Sequence, residues 1–357
     1  MHPPVLLRDW VALAVIAVGG PTLWPLDCRA ELPAKVQTVV LRDLPQLDPL
    51  TQLPRHARAI QGLPSQRHLP LPPPRGPRTE PPSPPSPAPL GSFVALTTNH
   101  GIPPDTQGAV GLKHIMVVTN GFVRVLNRSG DPLFSVDLDD FLQLPPSSTG
   151  FDSTAHYDLL ADRWVMTAGV RIGHQRGLTL AVASSITGDP TADWRIRSWK
   201  VATPDLWLDQ PRAALTHDAL VICADLISDY YDTATAGRIF VLNTAQLYQS
   251  APATLFEAST KPWQAPATVP ANEPNRIEIV GCYPYNANLE LVQREVTLGP
   301  ANGLTLASTH AMSAVDLIGP HTGRNRQRGT DQRLAVWGGY HPQRGMVRGD
   351  LSWWTVQ

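Results

Sequence analysis

GFDSTAHYDLLADRWVMTA, residues 150–168, decides the fold. Asp152 on a turn opens a short alternating run, a polar tight turn reverses the chain, and a burst of bulky apolar residues follows. Outward from this stretch the same grammar recurs twice. Residues 103–120 read PPDTQGAVGLKHIMVVTN around Asp105, and residues 208–225 read LDQPRAALTHDALVICAD around Asp209. The three aspartates stand 47 and 57 residues apart. Short strands repeating at roughly this period are the signature of β-propeller blades. The chain is therefore expected to be all-β, a β-propeller of four-stranded blades.

Each repeat supplies four strands with Gly, Asn, Asp and Pro between them, as hairpins require. The first predicts strands at Gly108–Val110, Ile115–Thr119, Phe122–Leu126 and Leu133–Leu138. The second predicts Ala155–Asp158, Trp164–Ala168, Leu178–Ser184 and Trp194–Val201. The third predicts Ala213–Leu215, Leu220–Ala224, Ile239–Leu242 and Thr254–Glu257. Beyond residue 262 the pattern weakens. IEIVGCYPYN, LELVQREVTL and GLTLASTHAM suggest a fourth unit, Thr330-Asp331-Gln332-Arg333 begins a partial fifth, and DLSWWTVQ makes one more strand. About four and a half units imply either five irregular blades or a ring whose C-terminal part is missing, because an open ring leaves unpaired edges.

Bulk properties exclude several classes of partner. Twenty-nine basic and 30 acidic residues leave a net charge of −1, so nothing favours nucleic acid in general. Arg8 followed by the apolar run Trp10–Gly20 and the small residues before Glu31 read as a signal peptide over residues 1–30. An uncleaved anchor and a lipoprotein signal at Cys28 are the alternatives. The expected location is thus periplasmic or extracellular, with no membrane insertion after cleavage. Residues 31–62 carry no sustained period and are expected to be poorly ordered. Residues 63–92 form a proline-rich linker, with 12 prolines among the 28 residues Leu63–Leu90, which favours extended polyproline II. The propeller domain is placed at 93–357. Cys223 and Cys282 lie in equivalent apolar runs, and an oxidising compartment permits either a disulfide or two buried thiols.

No G-x-S-x-G, H-E-x-x-H, phosphate-binding loop, C-x-x-C or dinucleotide fingerprint occurs, so no catalytic residue is assigned. Asp105, Asp152 and Asp209 each precede the innermost strand of a unit, which would gather them at one mouth of a central channel. Their expected role is to fix the turn that enters each blade. Converging carboxylates could instead bind Ca²⁺, the one cofactor the pattern suggests, or act as general acid and base. Arg163 is expected to pair with Asp158 across a hairpin while Trp164 fills the space between blades. Trp207 and Trp263, read as lying in loops, and His100 are the candidate ligand-binding residues, with the tryptophans suited to stacking on sugar rings.

PPDTQGAVG, the following NGFVRVLNRSG, and YDLLADRW and DQPRAAL at their spacing resemble a family of exported bacterial β-propeller proteins, loosely labelled sialidase-like. The resemblance covers residues 100–225 and implies fold and export. It implies no activity, and the sialidase S-x-D-x-G-x-x-W box is missing. The functional expectation is an exported module that binds a glycan or a cell-envelope protein. A hydrolase of extracellular polymer using the acids at the channel mouth, and a structural repeat protein without a small ligand, are the alternatives.

Overall fold

The structure, a computed structural model, describes residues 28–32, 35–47, 92–96, 105–172, 175–201, 206–228, 234–260, 262, 264–285, 288–298, 304–313, 324–326, 333–335, 342–348 and 351–356. Two N-terminal strands come first, β1 (Cys28–Leu32) and β2 (Lys35–Val39). The first sheet follows as β3 (Gln107–Val110), β4 (His114–Thr119), β5 (Phe122–Asn127) and β6 (Pro132–Asp137), with a short helix α1 (Leu138–Phe141) after it. The second sheet is β7 (Thr149–Asp158), β8 (Arg163–Ile172), β9 (Gln175–Ser185) and β10 (Trp194–Lys200). The third is β11 (Leu206–Leu215), β12 (Ala219–Ser228), β13 (Ala234–Asn243), helix α2 (Thr244–Tyr248) and β14 (Leu255–Thr260). The fourth contains β15 (Gln264–Thr268), β16 (Ile277–Tyr285), β17 (Asn288–Leu298) and β18 (Leu304–Ser313). Two hairpins end the described chain, β19 (Arg324–Arg326) with β20 (Arg333–Ala335), and β21 (Pro342–Arg348) with β22 (Leu351–Val356).

The protein is thus all-β, built of antiparallel meanders in chain order. The first strand of each sheet lies against that of the next: β3 with β7, β7 with β11, and β11 with β15. The sheets are not closed. Their faces stack in series, which explains the nearly continuous apolar runs. Along β12, Leu220, Ile222 and Ala224 enter a core shared with Val165, Leu180, Val182 and Trp199 of the second sheet. The alternate residues Ala219, Val221 and Cys223 point the other way, towards Ile277, Ile279 and Val296 of the fourth. A period of two with both phases apolar is what a strand buried on both faces demands.

One expectation changes. Residues 35–47, within the segment expected to be poorly ordered, are packed. β1 pairs with β14 and β2 with β10, so this segment adds the outermost strand to the third sheet and then to the second. The chain then passes a 3-10 turn (Leu41–Asp43), where Leu41 is fully buried, and reaches the first sheet, where Leu47 N–H donates to Ser135 O at 3.0 Å. An edge strand needs only a few anchoring side chains, here Val39 and Leu41, and so leaves no long period in the sequence. β1 also runs across the position after Ala30 where the sequence suggests cleavage. At the other end, DLSWWTVQ forms one more strand, β22, as the sequence suggests. β22 pairs with β21, and β21 joins the inner edge of the fourth sheet by a parallel pairing of Ala267–Thr268 with Gly345–Met346. The proline-rich linker lies outside the described residues.

Candidate functional site

A chain of polar contacts crosses one end of all four sheets, and it starts from backbone geometry. Asp105 (φ 41°), Asp152 (φ 48°) and Gln210 (φ 45°) adopt the left-handed conformation. In β7, Asp152-Ser153 form a bulge between the pairs Phe151–Gly169 and Thr154–Thr167. In β11 the equivalent bulge is Gln210-Pro211, between the pairs Asp209–Asp225 and Arg212–Cys223. Bulges with a left-handed residue re-aim side chains, and short polar residues tolerate that conformation best. The structural equivalent of Asp105 and Asp152 is therefore Gln210, one residue beyond the Asp209 that the sequence pattern aligns. That alignment is corrected by one position.

The chain of contacts runs as follows. Asn120, in the β4–β5 turn, donates from Nδ2 to Asp105 Oδ2 at 2.7 Å and accepts the Asp152 N–H on Oδ1 at 2.6 Å. Asp152 Oδ2 accepts the Gln210 N–H at 3.0 Å. Gln210 Oε1 accepts from Arg212 Nη2, and the same nitrogen reaches Asp225 Oδ2 at 2.9 Å. Arg212 Nη1 then donates to Gln264 O of β15 at 3.2 Å. Arg212 and Asp225 are both buried. Three links cross from one sheet to the next, Asn120 to Asp152, Asp152 to Gln210 and Arg212 to Gln264, and the others brace them within a sheet.

Asp105, Asp152 and Asp209 lie close enough to influence one another. Repulsion from Asp152 acts on both the Asp105 and the Asp209 carboxyls. Two ionised carboxylates side by side repel, so protonation of Asp105 and Asp209 relieves the strain. Burial pushes Asp105 from its ordinary 3.8 up to about 6, and the Asp152 charge adds to this against the Asn120 hydrogen bond. Burial also pushes Asp209 well above the carboxylate range, with Asp152 and Asp225 adding repulsion that Arg212 opposes. Among the described residues, no group of three or more His, Cys, Asp or Glu side chains could hold a metal ion.

A pH dependence follows. A folded-state value above the unfolded one means that the native state binds more protons between about pH 4 and 6. Stability is then highest near the lower end of that window and falls as pH rises through it. Thermal melts at pH 5 and 7.5 should show the higher Tm at pH 5. The contribution of the half-exposed Asp105 is on the order of 1 kcal/mol after solvent screening. Asp139, raised to about 6 by burial while accepting the Gly150 N–H at 2.6 Å, acts in the same direction. Asp105→Asn should flatten the profile relative to wild type; an unchanged slope would remove the account of a raised Asp105.

The remaining candidates separate. Trp207 is not in a loop: it lies on β11, half-buried, paired with Ile227 and two residues before Asp209. Trp263 and His100 lie outside the described residues, as does the side chain of Cys282, while Cys223 is buried in β12. Arg163 stands opposite Asp158 in register but donates to Ala161 O and Asp162 O. Asp158 instead accepts the Leu160 and Ala161 N–H groups and the Tyr248 hydroxyl at 2.7 Å, which joins the second sheet to α2. At the opposite end of the first strands, a feature without a sequence signal emerges. Val110 and Leu112 beside the β3–β4 turn, and Leu159 and Leu160 in the β7–β8 turn, are each more than half exposed. The two turns touch, because a Cβ on Gly111 would lie 3.1 Å from the Tyr157 ring. No family model matches this chain, and no curated protein matches it in sequence.

Proposed function

We propose that the chain is an exported β-propeller that serves as a binding module, its partner a cell-envelope protein or, failing that, an envelope glycan. The observation that carries this reading is the pair of touching turns that expose Val110, Leu112, Leu159 and Leu160. Clustered large apolar side chains on a surface are a common mark of a protein-binding face. The propeller assignment is supported by successive meanders whose first strands lie side by side. The belt argues against hydrolysis of a glycan. Glycosidases keep two carboxyls free to act on the sugar between them, whereas Asp105 already accepts the Asn120 amide and Asp152 the Gln210 N–H.

The test is retention of solubilised envelope proteins on immobilised protein, alongside a glycan array. Leu112→Asp with Leu160→Asp should abolish retention of a specific protein while leaving the Tm within a few degrees. Array binding untouched by that double variant would transfer the reading to a glycan. Release of reducing sugar from an envelope polysaccharide, lost in Asp152→Asn, would replace the binding module by a hydrolase.

A further inference from the structure

We propose that the buried face of β10 carries a site for a small inorganic anion of the chloride class, held by Arg197 and Trp199. Side chains of β10 alternate: Trp194 and Ile196 enter the core with the first sheet, while Trp199 enters the core with the third. Arg195 and Arg197 share the phase of Trp199 and face α2. Arg197 is fully buried, and its Nη2 donates to Gln246 O (3.4 Å), Gln249 O (2.5 Å) and Ala251 O (3.2 Å), around the C-terminal end of α2. Its Nε and Nη1 have no hydrogen-bond partner among the described residues. Two positions along the same face, Trp199 is 1% exposed, and its Nε1 has no partner among the described residues either.

The polarity of these groups identifies what is missing. Guanidinium and indole nitrogens can only donate, so the site has an excess of buried donors and lacks acceptors. Leaving such donors unmet costs far more than an average hydrogen bond contributes. Charge is unbalanced too. Among the described residues no carboxylate hydrogen-bonds Arg197, and the charged neighbour acting on it is Arg195, of like sign. Arg195 is itself engaged with Tyr248 O at 2.9 Å. Burial and Arg195 lower the Arg197 guanidinium to about 10, which leaves it charged at neutral pH. A buried, unpaired charge is strongly unfavourable. A water would supply acceptor lone pairs only, whereas an anion supplies acceptor and counter-charge together. The N-terminal strand β2 covers the edge, with Val36 paired to Arg197, and shields the site from solvent.

The experiment uses the intact protein and bromide as the probe. Anomalous diffraction from crystals soaked in bromide should show a peak within hydrogen-bonding distance of Arg197 Nε or Nη1 or Trp199 Nε1. A water without anomalous signal there, or a carboxylate of the chain itself, overturns the proposal. In solution, melts in sodium chloride and in sodium gluconate at equal ionic strength should diverge. Above the dissociation constant, Tm should rise about 3–5 °C for each tenfold in chloride and not in gluconate. Trp199→Phe should shift the chloride midpoint several-fold upward, and Arg197→Met should remove the chloride dependence. Should Arg197→Met fail to fold, the bromide position and the wild-type melts still decide, and equal melts in both salts reject the site.

Discussion

Replacing Arg212 by alanine is expected to cost about 3–5 kcal/mol, the range for breaking a buried ion pair by removing one partner. That corresponds to a fall in Tm of about 10 °C for a domain of this size. Arg212 and Asp225 are about 5% exposed and 2.9 Å apart, so the orphaned carboxylate has little solvent to turn to. The damage spreads beyond the pair. Arg212 also holds Gln210 Oε1 and the Gln264 carbonyl, which makes it the link between the third and fourth sheets. It is further the cation that opposes the rise of Asp209, so its loss should steepen the pH dependence and leave the variant relatively better at pH 5. Arg212→Met with Asp225→Leu removes both charges and should recover most of the loss. Urea midpoints at constant slope measure all three variants. A single variant within 1 kcal/mol of wild type would show that the belt holds little.

The second large effect is expected at Trp164, where alanine should also cost about 3–5 kcal/mol. Trp164 is fully buried in the core between the first and second sheets. Its Nε1 donates to Gly188 O at 3.0 Å, and its ring lies 4.9 Å from that of Tyr157. Gly111 of the first sheet makes room for it, because a Cβ there would sit 2.5 Å from the indole Cζ2. Gly111→Ala should therefore destabilise the wild type and be nearly neutral beside Trp164→Ala, which vacates the clash. The double-mutant cycle reads this coupling directly. If the two changes simply add, the indole does not depend on that glycine for its seat.

Strand existence was legible in the repeats because period-two patterning and turn chemistry are local. All twelve strands expected from the three units are found, most of them longer than the sequence suggests, since their ends are half-exposed and less apolar. Asp105 precedes β3 as the sequence suggests, but Asp152 lies inside β7, at a bulge whose left-handed backbone suits a short polar side chain. Gln210 was not legible. Glutamine carries no turn signal, and the adjacent Asp209 offers a false match, so only the pairing of Asp209 with Asp225 and of Arg212 with Cys223 fixes the bulge. Trp207 was misplaced because WLDQP reads as a loop, whereas its ladder to β12 keeps it in a strand.

The sequence by itself determined that this chain is all-β, repeats an aspartate-led unit and reverses at its Gly, Asn and Asp turns, because those properties depend on neighbours a few residues away. The tertiary structure alone decided which partners the polar groups find. Residues 35–39 complete the second sheet through Val39 and Thr38 opposite Trp194 and Arg195, more than 150 positions on. Asp209 comes to lie beside Asp152 and Asp225, and Arg197 is sealed against α2 with no carboxylate bonded to it among the described residues. Desolvation and counter-charge belong to the packed interior, and no local pattern encodes which distant group will supply them.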